Sequence, residues 1–441
     1  MDLYRISDFR SSDPAVWALL GCMVALAGCK KTPPCDRDAC TQNVVRTWVE
    51  APDSAPWRLG ALAHPVAVYA DRSRSMRGFL DPAYPTRVDY RSVIDGLQAR
   101  LVPRRVYGFG SSVRLEPNAG LDVLGSRDFY GDRDTEMEEA LDRIAHDTLL
   151  TWSHVVIGDA RRSNPDLAHR QFIRMREMAL RWTRSGGIFL VAVSRAPFRP
   201  VQGDPSGCHA ASAGGQADSA HQCPLYAFVF AARGDGVRIA AELAGLFEHV
   251  WGYPLPTAPL AAVELRPGEG TAEEGVGYDP AWLSGPAVIP KLEAQTPATR
   301  AFHLALSAAD TSAQAGRLLA RLLAAGARLE LFAASVTPDS AAPPAWARQD
   351  GRSGAVHVGA GGTGVDVFGG DACTSVAEGD PCGALYRVEA RAPGAPPWLA
   401  DFEAREAADA ERTFGLGRLF EPFLPLAATA PALARTYLLV R

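Results

Sequence analysis

Lysine is almost absent from this 441-residue chain. Of its 45 basic residues only Lys30, Lys31 and Lys291 are lysines, a bias of the kind G+C-rich coding produces. A basic excess is missing too, since 50 acidic residues leave a net charge of −5 and no block of like charge stands out. Nucleic-acid binding wants a basic stripe, so that class of partner is excluded. Several catalytic and metal motifs are also lacking. No H-x-x-x-H or H-E-x-x-H pattern offers zinc ligands, and His154 and His249 read as structural. No G-x-S-x-G elbow occurs, because Gly108–Ser112 has the wrong spacing. There is no Walker A loop. Gly359–Gly364 spells G-x-G-x-x-G, but no helical pattern follows it and it reads as a turn. No cysteines have the double C-x-x-C spacing of a zinc site.

Eight cysteines are present, and they divide by position. Cys22 lies in an N-terminal segment whose apolar run, Ala15–Ala27, is too short to span a bilayer comfortably as a permanent helix. Arg5 and Arg10 precede that run, which ends in Leu26-Ala27-Gly28-Cys29. The tetrapeptide resembles the bacterial lipobox, in which the cysteine thiol takes the lipid and becomes the new N-terminus. Residues 1–28 therefore read as a lipoprotein signal peptide, with Cys29 as the lipidated residue. The other six cysteines form three close pairs: Cys35/Cys40, Cys208/Cys223 and Cys373/Cys382. Locally paired cysteines in an exported protein read as disulfides. Residues 29–60, polar and with four prolines, read as a tether.

From Pro65 the texture is that of an α/β domain. Apolar runs at 65–70, 106–110, 154–158, 188–193 and 226–230 suit buried strands. Helical spacing fills the intervals at 88–101, 135–144 and 165–185, with another helix near 237–247. Asn164-Pro165 starts the third helix and Gly186-Gly187 stops it. Strands apolar on both faces and alternating with helices predict a mostly parallel sheet flanked by helices, with sites beyond the strands' carboxyl ends. Pro197–Gln222 interrupts as a surface excursion pinned by Cys208 and Cys223. After about Leu255, alternation at 302–306, 356–358, 365–367 and 386–388, with a last strand at 437–440, predicts a second, β-rich and sandwich-like domain. One helix, 312–325, interrupts it. The division is 61–254 and 255–441. In the second part, Trp398 reads as a buried anchor and the acidic stretch 401–411 as solvated surface.

The chemistry-bearing residues sit at the mouth of the first sheet. Asp71-Arg-Ser73-Arg-Ser75 follows the first strand, Asp134-Thr135 opens a helix, and the strand at 154–158 ends in Asp159. Three such pieces in this order resemble the metal-ion-dependent adhesion site of von Willebrand factor A (VWA) domains, over about residues 61–254. The resemblance implies a Rossmann-like fold and a divalent cation, Mg²⁺ or else Mn²⁺ or Ca²⁺. Ser73, Ser75 and Thr135 would be direct ligands, with Asp71 and Asp159 acting mostly through water. A hard cation with oxygen ligands and few direct anions stays electrophilic, so an open position can take a partner's carboxylate. The implied role is non-catalytic: a lipid-anchored cell-envelope protein that binds a protein partner presenting an acidic residue. The alternatives are a metal-free envelope scaffold and a metal-assisted hydrolase. A phosphatase of the haloacid dehalogenase type would need an aspartate where Ser73 stands. Two departures from the family stand out. Gly158 occupies a position that usually carries a hydroxyl, and Ala160 one that usually carries Gly. Arg72, Arg74, Arg77, Arg161 and Arg162 crowd the site.

Overall fold

The computed structural model describes residues 36–440, with internal gaps of which the longest are 50–56, 81–87, 200–207, 209–220, 268–275, 295–300, 337–343 and 369–382. Cys29, Cys35, Cys373, Cys382, Asp134 and Arg162 lie outside the described residues. The first described element is a helix, α1 (Arg37–Val49), inside the segment read as a tether. Its Val45 and Val49 are buried against Trp282, Ile289, Leu385 and Leu439 of the C-terminal half. Here the chain departs from the tether reading. Helical spacing of Val44, Val45, Trp48 and Val49 supplies an apolar stripe, and the stripe finds a sheet to cover.

The N-terminal half is α/β with a mostly parallel central sheet flanked by helices. The chain runs through β1 (Val66–Asp71), α2 (Tyr90–Leu101), β2 (Arg105–Phe109), β3 (Val113–Leu115), α3 (Met137–Ala145) and β4 (Ser153–Gly158). It continues as α4 (Pro165–Arg184), β5 (Ile188–Phe198), β6 (His221–Ala231), α5 (Gly236–Leu243) and β7 (His249–Tyr253). The spatial order is β3-β2-β1-β4-β6-β5-β7. β1 lies at the heart of the sheet, parallel to both β2 and β4 and buried along its whole length. The apolar runs read from the sequence are all strands. One runs against expectation: β6 is antiparallel and sits between β4 and β5. β5 and β6 are the two arms of one hairpin, and the excursion at 199–220 is its connection. A hairpin needs no crossover helix. Cys208 and Cys223 are disulfide-bonded with Cα atoms 6.1 Å apart, as the sequence pairing expects. Cys40 is also disulfide-bonded.

The C-terminal half holds two antiparallel-rich sheets. Its strands are β8 (Val263–Pro267), β9 (Val276–Leu283), β10 (Ile289–Ala294), β11 (Ala301–Ala308), β12 (Arg328–Val336), β13 (Ala347–Arg348), β14 (Gly354–Gly359), β15 (Gly362–Phe368) and β16 (Gly383–Arg391). The chain then forms β17 (Glu403–Ala404), β18 (Thr413–Phe414) and β19 (Ala434–Val440). One sheet has the order β13-β12-β16-β19-β10-β9 and the other β14-β15-β11-β8. The G-x-G-x-x-G run lies at the β14/β15 hairpin, where Gly359 pairs with Gly362. The helix α6 (Gln314–Ala324) packs against α5, and apolar residues of both halves share one core. After β16 the chain returns to the first sheet. Trp398, Phe402, Phe420 and Phe423 join the apolar cluster of α4, β5 and β7. Trp398 is buried there, as its anchor reading expects.

Candidate functional site

All five residues singled out by the motif come together at the carboxyl ends of β1 and β4. Asp71 and Asp159 are 0% exposed, and Ser73, Ser75 and Thr135 are buried. Each aspartate is fixed by the amide two residues on. Ser73 N–H donates to Asp71 Oδ1 at 2.7 Å, and Arg161 N–H donates to Asp159 Oδ1 at 3.1 Å. Short Asp side chains favour this turn, so the local sequence alone orients both carboxylates.

The hydroxyls are aligned by backbone. Ser73 is extended and precedes a single 3₁₀ segment, Arg74–Phe79. Its hydroxyl makes no cap and lies 2.8 Å from the Ser75 hydroxyl. The second loop is laid alongside the first as a short parallel bridge. Arg74 N–H donates to Asp132 O at 2.9 Å, and Asp132 N–H to Arg72 O at 3.2 Å. That clamp places the Thr135 hydroxyl 3.4 Å from each Asp71 oxygen. Asp132 thus joins the two loops through its backbone. Its Oδ2 is buried with no hydrogen-bond partner.

Both departures from the family pattern have a physical consequence. Gly158 sits beside Asp71 across the β1/β4 ladder, and a Cβ there would lie 2.9 Å from Asp71 Cβ. That is closer than real Cβ contacts come, so the position is closed to a hydroxyl side chain. Ala160 adopts φ 53°, the left-handed conformation that glycine takes cheaply. It is buried, and Gln171 of α4 reaches its carbonyl at 3.4 Å. The loop keeps its shape and an alanine carries the strain. Ala160→Gly should therefore be neutral or stabilising by up to about 1 kcal/mol. Ala160→Val should cost about 2–3 kcal/mol, from β-branching at positive φ and from overpacking. Urea unfolding of the three proteins checks this; equal midpoints for Ala and Val would remove the strain argument.

The electrostatics follow from enclosure. Burial first, and the Asp159 charge second, push the Asp71 carboxyl up to about 8. Hydrogen bonds from Ser73 and Thr135 oppose the rise. Among the described residues no basic side chain pairs with Asp71. Two of the nearby arginines are directed elsewhere. Arg72 Nε donates to Phe129 O, with its guanidinium over the Phe129 ring, and Arg74 Nε donates to Gly131 O. Burial lowers the Arg161 guanidinium, while Asp159, Tyr226 and Asp409 act to raise it.

That last set brings in residues the sequence did not flag. The Tyr226 hydroxyl on β6 donates to Thr413 Oγ1 of β18 at 2.9 Å, so a segment more than 180 residues away in sequence borders the third loop. Below Asp71 lie Tyr90 and Tyr130, hydroxyls 3.0 Å apart, and both feel its charge. No spacing in the chain signals either contact.

The donor set is oxygen only: two carboxylates and three hydroxyls. Among the described residues no group of three or more His, Cys, Asp or Glu is placed to hold a metal, and this set contains no nitrogen or sulfur ligand of the kind soft cations prefer. A hard divalent cation fits the chemistry. Two carboxylates buried side by side, with no basic side chain paired to Asp71 among the described residues, are an arrangement that a bound cation stabilises. No protein-family model, curated protein or solved structure matches this chain.

Proposed function

We propose that the chain is a lipid-anchored cell-envelope protein whose VWA-like half binds an acidic side chain of a protein partner through a divalent cation. Asp71, Ser73, Ser75, Thr135 and Asp159 would hold the ion, Mg²⁺ in the first instance. The carrying observation is the buried Asp71/Asp159 pair, ringed by hydroxyls and without a basic partner for Asp71. The lipobox-like Leu26–Cys29 supports the anchor, and the Cys208–Cys223 bridge suits an oxidising compartment. No described helix is long and apolar enough to cross a membrane.

The test is thermal melting of the full-length protein in EDTA and in Mg²⁺ or Mn²⁺. A ligand bound only by the native state at a hundredfold excess over Kd adds about 2.7 kcal/mol. The expected result is a metal-dependent rise in Tm that Asp71→Ala removes. A rise of equal size in both proteins would move the ion elsewhere.

A metal-free scaffold is the second reading, favoured by one observation. The hydroxyls already bond to one another and to Asp71, which closes the cluster without an ion. Identical melting in metal and in EDTA, with partner binding insensitive to chelator, would select it.

A further inference from the structure

A second cleft opens toward the other end of β1, between the first residues of β1 and β2 and the stretch from α3 to Trp152. Its volume is about 690 Å³, in the range of small-molecule sites. Tyr69 and Tyr107 stack in its floor with ring centroids 4.8 Å apart.

Its polar groups are unequally satisfied. Every carboxylate in it is engaged. Glu139 accepts from Val113 N–H at 3.0 Å, and Asp142 accepts from Arg174 at 2.6 Å. Asp147 accepts from Thr151 and Trp152 amides at 3.0 and 2.8 Å and lies 3.2 Å from His154 Nε2. The two guanidiniums are different. Arg105 stacks over Trp152 at 4.5 Å and Arg143 over Tyr107 at 4.6 Å. Among the described residues neither pairs with a carboxylate or donates a hydrogen bond, and neither do the Tyr69 and Tyr107 hydroxyls. A guanidinium whose N–H groups meet no protein acceptor can offer its planar fork to a carboxylate or phosphate. Both arginines line the same cleft as Tyr69 and Tyr107. His154 Nδ1 is buried without a partner, while the two guanidiniums are exposed to solvent at the cleft and present N–H donors that an anion can take.

We propose that this cleft binds a small organic oxyanion, a carboxylate or phosphate carried on a flat body, with Arg105 and Arg143 gripping the anion and Tyr107 and Trp152 bordering the body. The cleft is larger than an inorganic anion needs, and its aromatic walls suit a ring. It is independent of the Asp71 cluster and of any metal there.

The experiment is calorimetric titration of the full-length protein with phenyl phosphate and with benzoate, at constant ionic strength and with EDTA present. Wild type is compared with Arg105→Gln and Arg143→Gln, whose unchanged melting would show that they fold. The expected result is saturable binding of at least one probe, weakened at least about fivefold by each substitution, since each removes a charge-assisted contact. The better probe then tells phosphate from carboxylate. No saturable binding of either probe up to ~10 mM, or a smaller effect of the substitutions, overturns the proposal.

Discussion

Asp71→Asn should melt higher than the wild type in EDTA and lower than the wild type in excess Mg²⁺. Asparagine keeps an acceptor for the Ser73 amide, the bond that orients the side chain. What it removes is one of two enclosed charges. In the wild type that charge is costly, because burial and Asp159 hold the carboxyl near 8, against an ordinary value of 3.8. An acid whose folded pKa lies above its unfolded one binds more protons when folded at any pH between the two. Stability therefore falls as pH rises through that window. At pH 7.5 the metal-free wild type carries most of this penalty and the variant none. The gain should be on the order of 2 kcal/mol, a rise in Tm of about 2 °C for a chain of this size. In EDTA the wild type should also melt higher at pH 6 than at pH 8, and Asp71→Asn should lose that slope. Metal reverses the ranking, because only the carboxylate pair repays a cation. If Asp71→Asn melts below the wild type in EDTA, the pair is not under mutual strain and the case for a cation loses its basis.

The same enclosure explains how much of the site was legible. Apolar runs such as Ala67–Ala70 and Val155–Ile157 mark fully buried strands, and a polar residue just after each run must sit at the sheet's mouth. Asp71 and Asp159 were placed by that logic, and their order with Thr135 did the rest. Direction was not legible. Tyr226–Phe230 is as apolar as a parallel strand, and only the length of the hairpin arms shows that β6 runs back along β5. Partnership over long separations was equally silent. The stripe on α1 lies in a short polar segment, and its partners Trp282, Leu385 and Leu439 are more than 230 residues on. The acidic stretch 401–411 looks solvated. Yet Glu403 Oε1 accepts from Gly417 N–H at 3.0 Å, and the strand that follows brings Thr413 to Tyr226. The Ala160 loop shows the limit of a pattern rule. Glycine is the cheap residue at positive φ, but neighbours that fix the loop can hold an alanine there.

Glu389→Ala should be among the most damaging substitutions in the C-terminal half, costing about 3–5 kcal/mol. Glu389 on β16 and Glu330 on β12 are direct cross-strand partners, and both are buried. Like charges placed directly opposite destabilise a sheet unless cations join them. Here Arg391 bridges the pair, with Nε 2.6 Å from Glu330 Oε2 and one terminal nitrogen 2.7 Å from Glu389 Oε2. The Nε contact is close but not aligned as a hydrogen bond, so it acts as charge on charge. Arg387 and Arg435 approach Glu389 from its own strand and from β19, at 3.1 and 3.0 Å. Removing the carboxylate takes a partner from Arg387, Arg391 and Arg435, all with most of their surface out of water, while Glu330 is already shared with Arg328 and Arg348. Glu389→Gln keeps the volume and two polar groups, so it should cost less, about 2 kcal/mol. Urea unfolding reads both, as a lower midpoint at unchanged slope. The metal-dependent rise in Tm should survive in each, because none of the contacts described for this cluster reaches Asp71 or Asp159. Arg391 also donates to Ala430 O at 2.6 Å, at the end of the segment that carries Thr413 toward the third loop. Loss of the metal response in Glu389→Ala would therefore mean that the C-terminal sheet holds the site in shape through that segment.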